Sequence, residues 1–459
     1  MSMREWCRSG RTSGLLRALA AFALLGGAEA LSAEEPGTAP TTGSDRFRLK
    51  LEIRSHFRHS RDEQVRVLFP FPPDFIPAGQ DGVYLRTVSP GSSFEVSSLA
   101  LSADAELTPV IQAHASVHVI DLYNRNPTSS DDLVALREAW LLFGRKPRML
   151  EAIPGTVFHA QVGKAPRFTK QLERQFESYG LWGTAVGRFE EIGIELGGSF
   201  GRHLYWRGLL ANGNPLFFRD PNALAGDNGT PERTAPNPAP KLESGFPILY
   251  DAKAQDLHFD ESFLYGGGVG LRFASEDPDK PAGVDLLAWY FERELAEAAP
   301  IRGTFYEGDL DLLQGVGIPL PLEGRDKTEY GVNLTARRGG LRIYGQYVAQ
   351  EIAGLERRGF EAEAAYRIPL NGLFASGDQP VFNWLQPAVR YSTIDNRFEA
   401  PLAFVAPSVA WDWAKLDLGL RLGILRNLDL TVEYARHDMK TRTGTLHPDE
   451  ALVTVWVSF

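Results

Sequence analysis

The sequence predicts an all-β fold: a transmembrane antiparallel β-barrel of about sixteen strands, with short turns at one end and long loops at the other. Three observations predict it. Apolar and polar residues alternate with a two-residue period in segment after segment, as a strand with oil on one face and water on the other requires. The links between these segments are by turns long and short. The last stretch, Ala451 to Phe459, is one more such segment and stops on an aromatic residue at the free carboxylate.

The N-terminus reads differently. The chain has 459 residues, 43% of them hydrophobic, and its one helix-like apolar run lies at 15–28. Arg4, Arg8, Arg11 and Arg17 precede or flank the core of that run, and Ala28-Glu29-Ala30 offers a small-x-small cleavage site. Leu19 to Gly27 is too short to span a bilayer and suits a secretory leader. Residues 1–30 are therefore read as a signal peptide, with cleavage after Ala30 or Ala33. Residues 31–45, rich in Pro, Thr and Gly, are a flexible tether, and 46–459 are one barrel domain. The sole cysteine, Cys7, falls in the leader, so the mature chain has no disulfide and no cysteine-ligated metal. The formal net charge is −10, and losing four Arg and two Glu with the leader leaves the mature chain more acidic still. That balance argues against nucleic acid as a partner.

In the first strand Phe47, Leu49, Leu51, Ile53 and Phe57 alternate with Arg48, Lys50, Glu52, Arg54, His56 and Arg58. So many charges on one face are costly in a dry core and ordinary against water. The pattern recurs at 99–107, 111–119, 133–143, 157–164, 190–197, 203–211 and 263–273, and again at 284–293, 329–337, 341–351, 358–368, 383–394, 414–425, 428–437 and 451–459. Facing is ambiguous in 133–143 and 284–293. Tight turns are expected at Thr108-Pro109, Gly197 to Arg202, Arg338-Gly339-Gly340 and Arg426-Asn427, and long loops at 59–93, 165–189, 212–262, 294–328, 395–413 and 438–450. The 212–262 loop is dense in Asn, Asp, Gly and Pro turn signals. A Ca²⁺ loop of the EF-hand kind fails there, because Leu224 and Ala225 stand where a ligand and a Gly are needed.

Other motifs reduce to structure. Gly197-Gly198-Ser199-Phe200-Gly201 matches a hydrolase nucleophile elbow, but strand character follows it, so a hairpin turn explains the glycines. His114 and His118 would share a metal on a helix. On a strand their spacing separates them by roughly 13 Å, and they read as lumen residues. No cofactor and no metal is expected.

The ending carries a resemblance. Val453, Val455, Val457 and the final Phe459 resemble the C-terminal signature of Gram-negative outer-membrane barrels, which by that resemblance is what the outer-membrane insertion machinery reads. The whole pattern from Phe47 to Phe459 resembles a porin of about sixteen strands, and Gly163-Lys164, the charged insert after it, Ile192 to Gly198 and Asn212-Gly213-Asn214 loosely resemble the phosphate-selective porin group. The resemblance implies short periplasmic turns, a trimer, contacts with outer-membrane lipid and lipopolysaccharide, and a third external loop that narrows the pore. In this chain that loop carries Arg167, Lys170, Glu173, Arg174, Glu177 and Arg188, with Tyr179 and Trp182 near its middle. Aromatics there need somewhere to bury, which favours a folded loop.

A pore selects by the sign of its lining and by its narrowest width. Parity places Arg48, Lys50, Arg54, Arg58, Lys164, Arg207, Arg272, Arg337, Arg342, Arg367, Arg390, Lys415 and Arg421 inward. Fewer acids join them: Glu52, Asp104, Glu106, Glu195, Asp285, Glu361, Glu363, Asp417 and Glu433. The expectation is a passive channel for small hydrophilic solutes, leaning to anions. Two alternatives stand beside it: a channel specific for a sugar or acidic polysaccharide, using Tyr344, Trp182 and Arg342, and an outer-membrane barrel enzyme.

Overall fold

The computed structural model describes residues 46–61, 64–66, 73–76, 78–82, 84–86, 91–120, 134–171, 173–182, 190–213, 246–247, 262–277, 282–294, 324–352, 354–376, 379–397, 412–441 and 444–459. The leader, the tether, Arg188 and most of the 212–262 loop lie outside them.

Sixteen strands close into one antiparallel barrel. They are β1 Phe47–Ser60, β2 Gly91–Thr108, β3 Ile111–Ile120, β4 Val134–Gly144, β5 Phe158–Pro166, β6 Glu190–Phe200, β7 Leu204–Ala211 and β8 Leu264–Ala274. The second half adds β9 Ala282–Glu294, β10 Asp326–Arg338, β11 Leu341–Ile352, β12 Leu355–Tyr366, β13 Trp384–Asn396, β14 Asp412–Leu425, β15 Leu428–Thr441 and β16 Glu450–Ser458. Each pairs with its sequence neighbour, and closure comes where β1 pairs with β16, Glu52 opposite Ser458 and Ser60 opposite Glu450. Two short segments, Ile368–Pro369 and Gly444–Leu446, extend the same sheet.

Closure leaves no edge for aggregation, and it lets every strand present one face to each solvent. The outer face is apolar: Val162, Ile192, Ile194, Leu196, Leu286, Val332, Leu418 and Val455 are all exposed on it. Aromatics band it at two levels. Tyr265, Tyr290, Tyr330, Tyr347 and Tyr391 stand toward the loop end, and Phe47, Phe143, Phe158, Phe200 and Phe273 toward the turn end. Such girdles mark the two membrane interfaces of a barrel.

The sixteen predicted strands all form. Pro109-Val110, Gly339-Gly340 and Arg426-Asn427 make two-residue turns, and Gly201, at φ +68°, opens the turn from β6 to β7. Gly197 and Ser199 lie within β6, so the elbow-like motif is a strand end and its turn. Three links depart from the expected alternation. On the loop end, β11 and β12 are joined by only Ala353-Gly354, while on the turn end 145–157 and 367–383 are long.

Facing in 284–293, which the sequence left open, is settled. On β9, Asp285, Leu287, Trp289, Phe291 and Arg293 point inward. The large side chains lean over the inner glycines of β8: a Cβ on Gly266 would meet Phe291, one on Gly268 would meet Leu287, and one on Gly270 would meet the Tyr205 ring. Lys164 corrects the expected parity. It is in register with Ile192, which faces outward, and its ammonium donates to the Leu136 carbonyl at 2.6 Å. It lies on the outer face, not in the lumen.

Candidate functional site

The third loop follows Pro166, where β5 ends, and its first residue turns into the barrel. Arg167 is 5% exposed and sits between the carboxylates of Glu191, at 2.7 Å, and Glu329, over the Phe291 ring. Burial works against its charge, but Glu329 and Glu191 outweigh burial and raise its pKa above the ordinary range. Phe168 packs on Phe291, and Asn333 of β10 donates to the Thr169 carbonyl at 2.8 Å. Lys170 pairs with Glu190 at 3.0 Å, back at the root of β6.

From there the chain runs along the opposite wall. Gln171 donates to Glu363 of β12 at 2.9 Å, Arg342 of β11 reaches Glu173 at 3.2 Å, and Gln386 of β13 donates to Gln175 at 2.7 Å. Arg174 stacks on the Tyr179 ring at 4.1 Å and donates to the Glu177 carbonyl. At the tip, the backbone N–H groups of Glu177 and Ser178 donate to the Glu433 carboxylate of β15. Lys415 of β14 donates to the Tyr179 carbonyl at 2.6 Å. Trp182, fully buried, donates its indole N–H to the Thr393 carbonyl at 2.7 Å. The Glu177 carboxylate meets Arg54 of β1 at 3.2 Å. Burial alone would raise its pKa, but Arg54, Arg174 and Arg421 hold it down at about 2. Thus the segment begins at β5 and ends up bound about eight strands further round, which in a sixteen-strand barrel is the facing wall.

A charged lattice lies beneath it. Arg390, 1% exposed, donates to Asp417 at 2.8 Å, lies 3.4 Å from Glu363, and reaches the Ser178 carbonyl at 3.0 Å. Lys415 pairs with Asp417 at 2.9 Å, both at zero side-chain exposure. Such partners offset the cost of taking a cation out of water.

Further inward cations stand beside acids as well. Arg58 lies 3.6 Å from Glu450, Arg421 bonds Asp429 at 2.7 Å, Lys50 bonds Glu52 at 2.6 Å, and Arg48 stands in register with Asp104. Sequence parity missed inward Arg293, Lys327, Glu329 and Arg357, and it could not see the pairing. Nor could it see the aromatic contacts. Trp456 of β16 takes Arg421 at 4.3 Å, Arg54 at 5.0 Å and Lys50 at 5.9 Å from its ring, and Trp384 of β13 takes Arg367 at 4.2 Å and Arg421 at 5.8 Å. These form a cation–indole stack along the turn end of the inner wall. Tyr344 and Trp182, named as sugar contacts from the sequence, are buried and engaged with Gln346 and Thr393. His114 bonds Asp104 at 2.7 Å and stacks on Trp140. Among the described residues no group of His, Cys, Asp and Glu is arranged to hold a metal ion.

No family model matches the chain, and no curated protein matches it. Solved structures do. OprB of Pseudomonas putida is 8% identical, with 91% of this chain and 95% of that one covered at a TM-score of 0.48. The outer membrane channel DcaP of Acinetobacter baumannii is 10% identical over 90% and 97%, at 0.46. An anion-selective porin from Comamonas acidovorans is 10% identical over 90% and 99%, at 0.42. At such identities the likeness is one of architecture.

Proposed function

We propose that this protein is a passive outer-membrane channel for small hydrophilic solutes, with a modest preference for anions, whose third loop narrows the pore. One observation carries the reading: a loop rooted at β5 is fastened to the inner faces of β9 to β15 and to β1 by side chains that would otherwise line water. A barrel with an apolar outside and a charged inside has a hydrated interior, and a loop laid across it sets the width. Arg167, Lys170, Glu173, Arg174 and Glu177 are the loop residues that serve this, with Arg188 completing the set from the sequence. The anion preference draws on the cation–indole stack of Lys50, Arg54, Arg421 and Arg367.

Export by a cleaved leader, insertion through the Val453, Val455, Val457 and Phe459 signature, a homotrimer, and contact with lipopolysaccharide belong to the same proposal. Planar-bilayer recording of the refolded protein tests it. A stable ohmic conductance is expected, with a reversal potential favouring Cl⁻ over K⁺ in a salt gradient. A cation-favouring sign ends the anion preference, and absence of conductance ends the channel reading. Trp456 and Trp384, flanked by guanidinium groups, favour a second reading, a channel specific for an acidic sugar or polysaccharide. Saturable block of the current by such a solute would establish it.

A further inference from the structure

The link from β4 to β5, residues 145–157, is far longer than a hairpin needs, and it is folded into the barrel from the turn end. Gly144 N–H donates to the Val110 carbonyl at 2.8 Å and Arg145 N–H to the Phe158 carbonyl at 3.2 Å. Lys146 then reaches inward to Gln161 of β5 at 2.6 Å and to Glu195 of β6 at 2.9 Å. Glu195, 5% exposed, also takes His159 at 3.2 Å and Arg207 at 2.7 Å. Further round, Arg272 of β8 donates to the Arg148 carbonyl at 2.6 Å. Ile153, 4% exposed, belongs to the buried cluster that holds Tyr205 and Leu209 of β7. Ser199 N–H closes the link by donating to the Val157 carbonyl at 3.0 Å.

The bend between these anchors is ordered too. Leu150 adopts φ +59°, a left-handed conformation that a non-glycine residue keeps only where its surroundings impose it. Here Arg148 N–H donates to the Glu151 carboxylate at 2.7 Å, and Arg145 pairs with that carboxylate at 2.9 Å. The link therefore covers the inner faces of β5 to β8 at the turn end, whereas the third loop covers β9 to β15 from the loop end. At the turn end of β1 and β2 the inner wall meets water among the described residues, where Lys50 and Asp104 have side chains 55% and 58% exposed.

We propose that the 145–157 link is a second selectivity filter at the turn end of the lumen, in series with the third loop. Arg145 and Arg148 face the solute there with one carboxylate, Glu151, between them, so the filter favours small anions. Lys146 is the positioning residue, holding the link against Glu195. The proposal rests on the channel reading above.

Cys7 is the chain's one cysteine, so Arg148→Cys in a barrel refolded without residues 1–30 gives a unique handle. Negatively and positively charged thiosulfonate reagents are added from each side during bilayer recording. From the turn side, the negative reagent should lower the Cl⁻ over K⁺ permeability ratio severalfold, and the positive reagent should leave it near that of the unsubstituted protein. In the same background, Lys146→Met should raise open-channel noise and widen the spread of conductance levels, while Lys146→Arg restores both. Modification at 148 that leaves a conducting barrel with unchanged current and reversal potential overturns the second filter and spares the channel reading. A barrel that conducts nothing before any reagent is added overturns both.

Discussion

Glu177→Gln tests the clasp at the tip of the third loop. In the native protein this carboxylate is 7% exposed, faces Arg54 at 3.2 Å and is held at about 2 by Arg54, Arg174 and Arg421 acting against the cost of burial. At about 1.4 kcal/mol per tenfold change in proton affinity, a depression from the ordinary Glu value near 4.3 amounts to roughly 3 kcal/mol in favour of the charged form. Gln keeps the shape and gives up that energy. The tip should then detach for a fraction of the time, seen in single-channel records as excess noise and a lower closing voltage. The sign of the pH dependence follows. Because the folded-state pKa is depressed, the stabilisation is fully present above the unfolded value near 4.3 and is lost as pH falls toward about 2. Native channels should behave alike from pH 7 to about 5 and grow noisy below pH 4. Glu177→Gln should be noisy throughout, with little further change on acidification. Quiet Glu177→Gln channels at pH 7 would refute the clasp, as would an acid response of native size in the variant.

Arg390→Met leaves Asp417 and Glu363 buried without their shared cation, so the barrel should lose roughly 3–5 kcal/mol, read as a lower temperature for the folded-to-unfolded mobility shift on gels. Gly359→Val should dislodge Trp182, since a Cβ there would collide with the Thr393 carbonyl and the Trp182 indole nitrogen. Gly345→Val, whose Cβ finds only Leu334 Cβ at 3.9 Å, should be tolerated; thermal unfolding separates the two. Lys146 is pushed down to about 8, burial outweighing the pull of Glu195. The folded barrel thus sheds this proton before the unfolded chain does, so stability should rise with pH from about 8 until the unfolded amine also titrates near 10.4, and Lys146→Met should remove that rise.

Much of this was legible in the chain. Alternation located all sixteen strands because each has one lipid face, and oil tolerates no exception that would blur the period. Where the inner face is itself apolar, as at Leu287, Trp289 and Phe291, the period vanished and facing could not be read. Lys164 failed for a related reason: at a strand end an amine can bend to a carbonyl, so charge alone does not mark the lumen. The inward course of the third loop was foreshadowed by Tyr179 and Trp182, but its partners on β12 to β15 are more than 170 residues away and leave no local trace. The 145–157 link was missed because Arg145-Lys146-Pro147-Arg148 reads as a solvated turn. Ile153, which proves to be buried, was the one signal available.

The pairing of the inner charges bears on how selective such a channel can be. An inward guanidinium matched to a carboxylate at salt-bridge distance acts on a passing ion as a dipole, whose field falls off faster than that of a bare charge. Arg390, Lys415 and Arg167 are so matched and fully enclosed, so their contribution is to hold the loop rather than to choose the solute. Choice falls to groups that water reaches: Lys50 at 55%, Asp104 at 58%, Glu173 at 54% and, on the turn-end link, Arg145 at 59% side-chain exposure, together with the indole-stacked Arg54 and Arg421. These carry both signs, and at 0.1 M salt their fields reach only about 10 Å before screening. A ratio of a few between anions and cations is what such a lining supports, shrinking as salt is raised. A channel that excluded cations outright would require the enclosed lattice to come apart and expose its arginines.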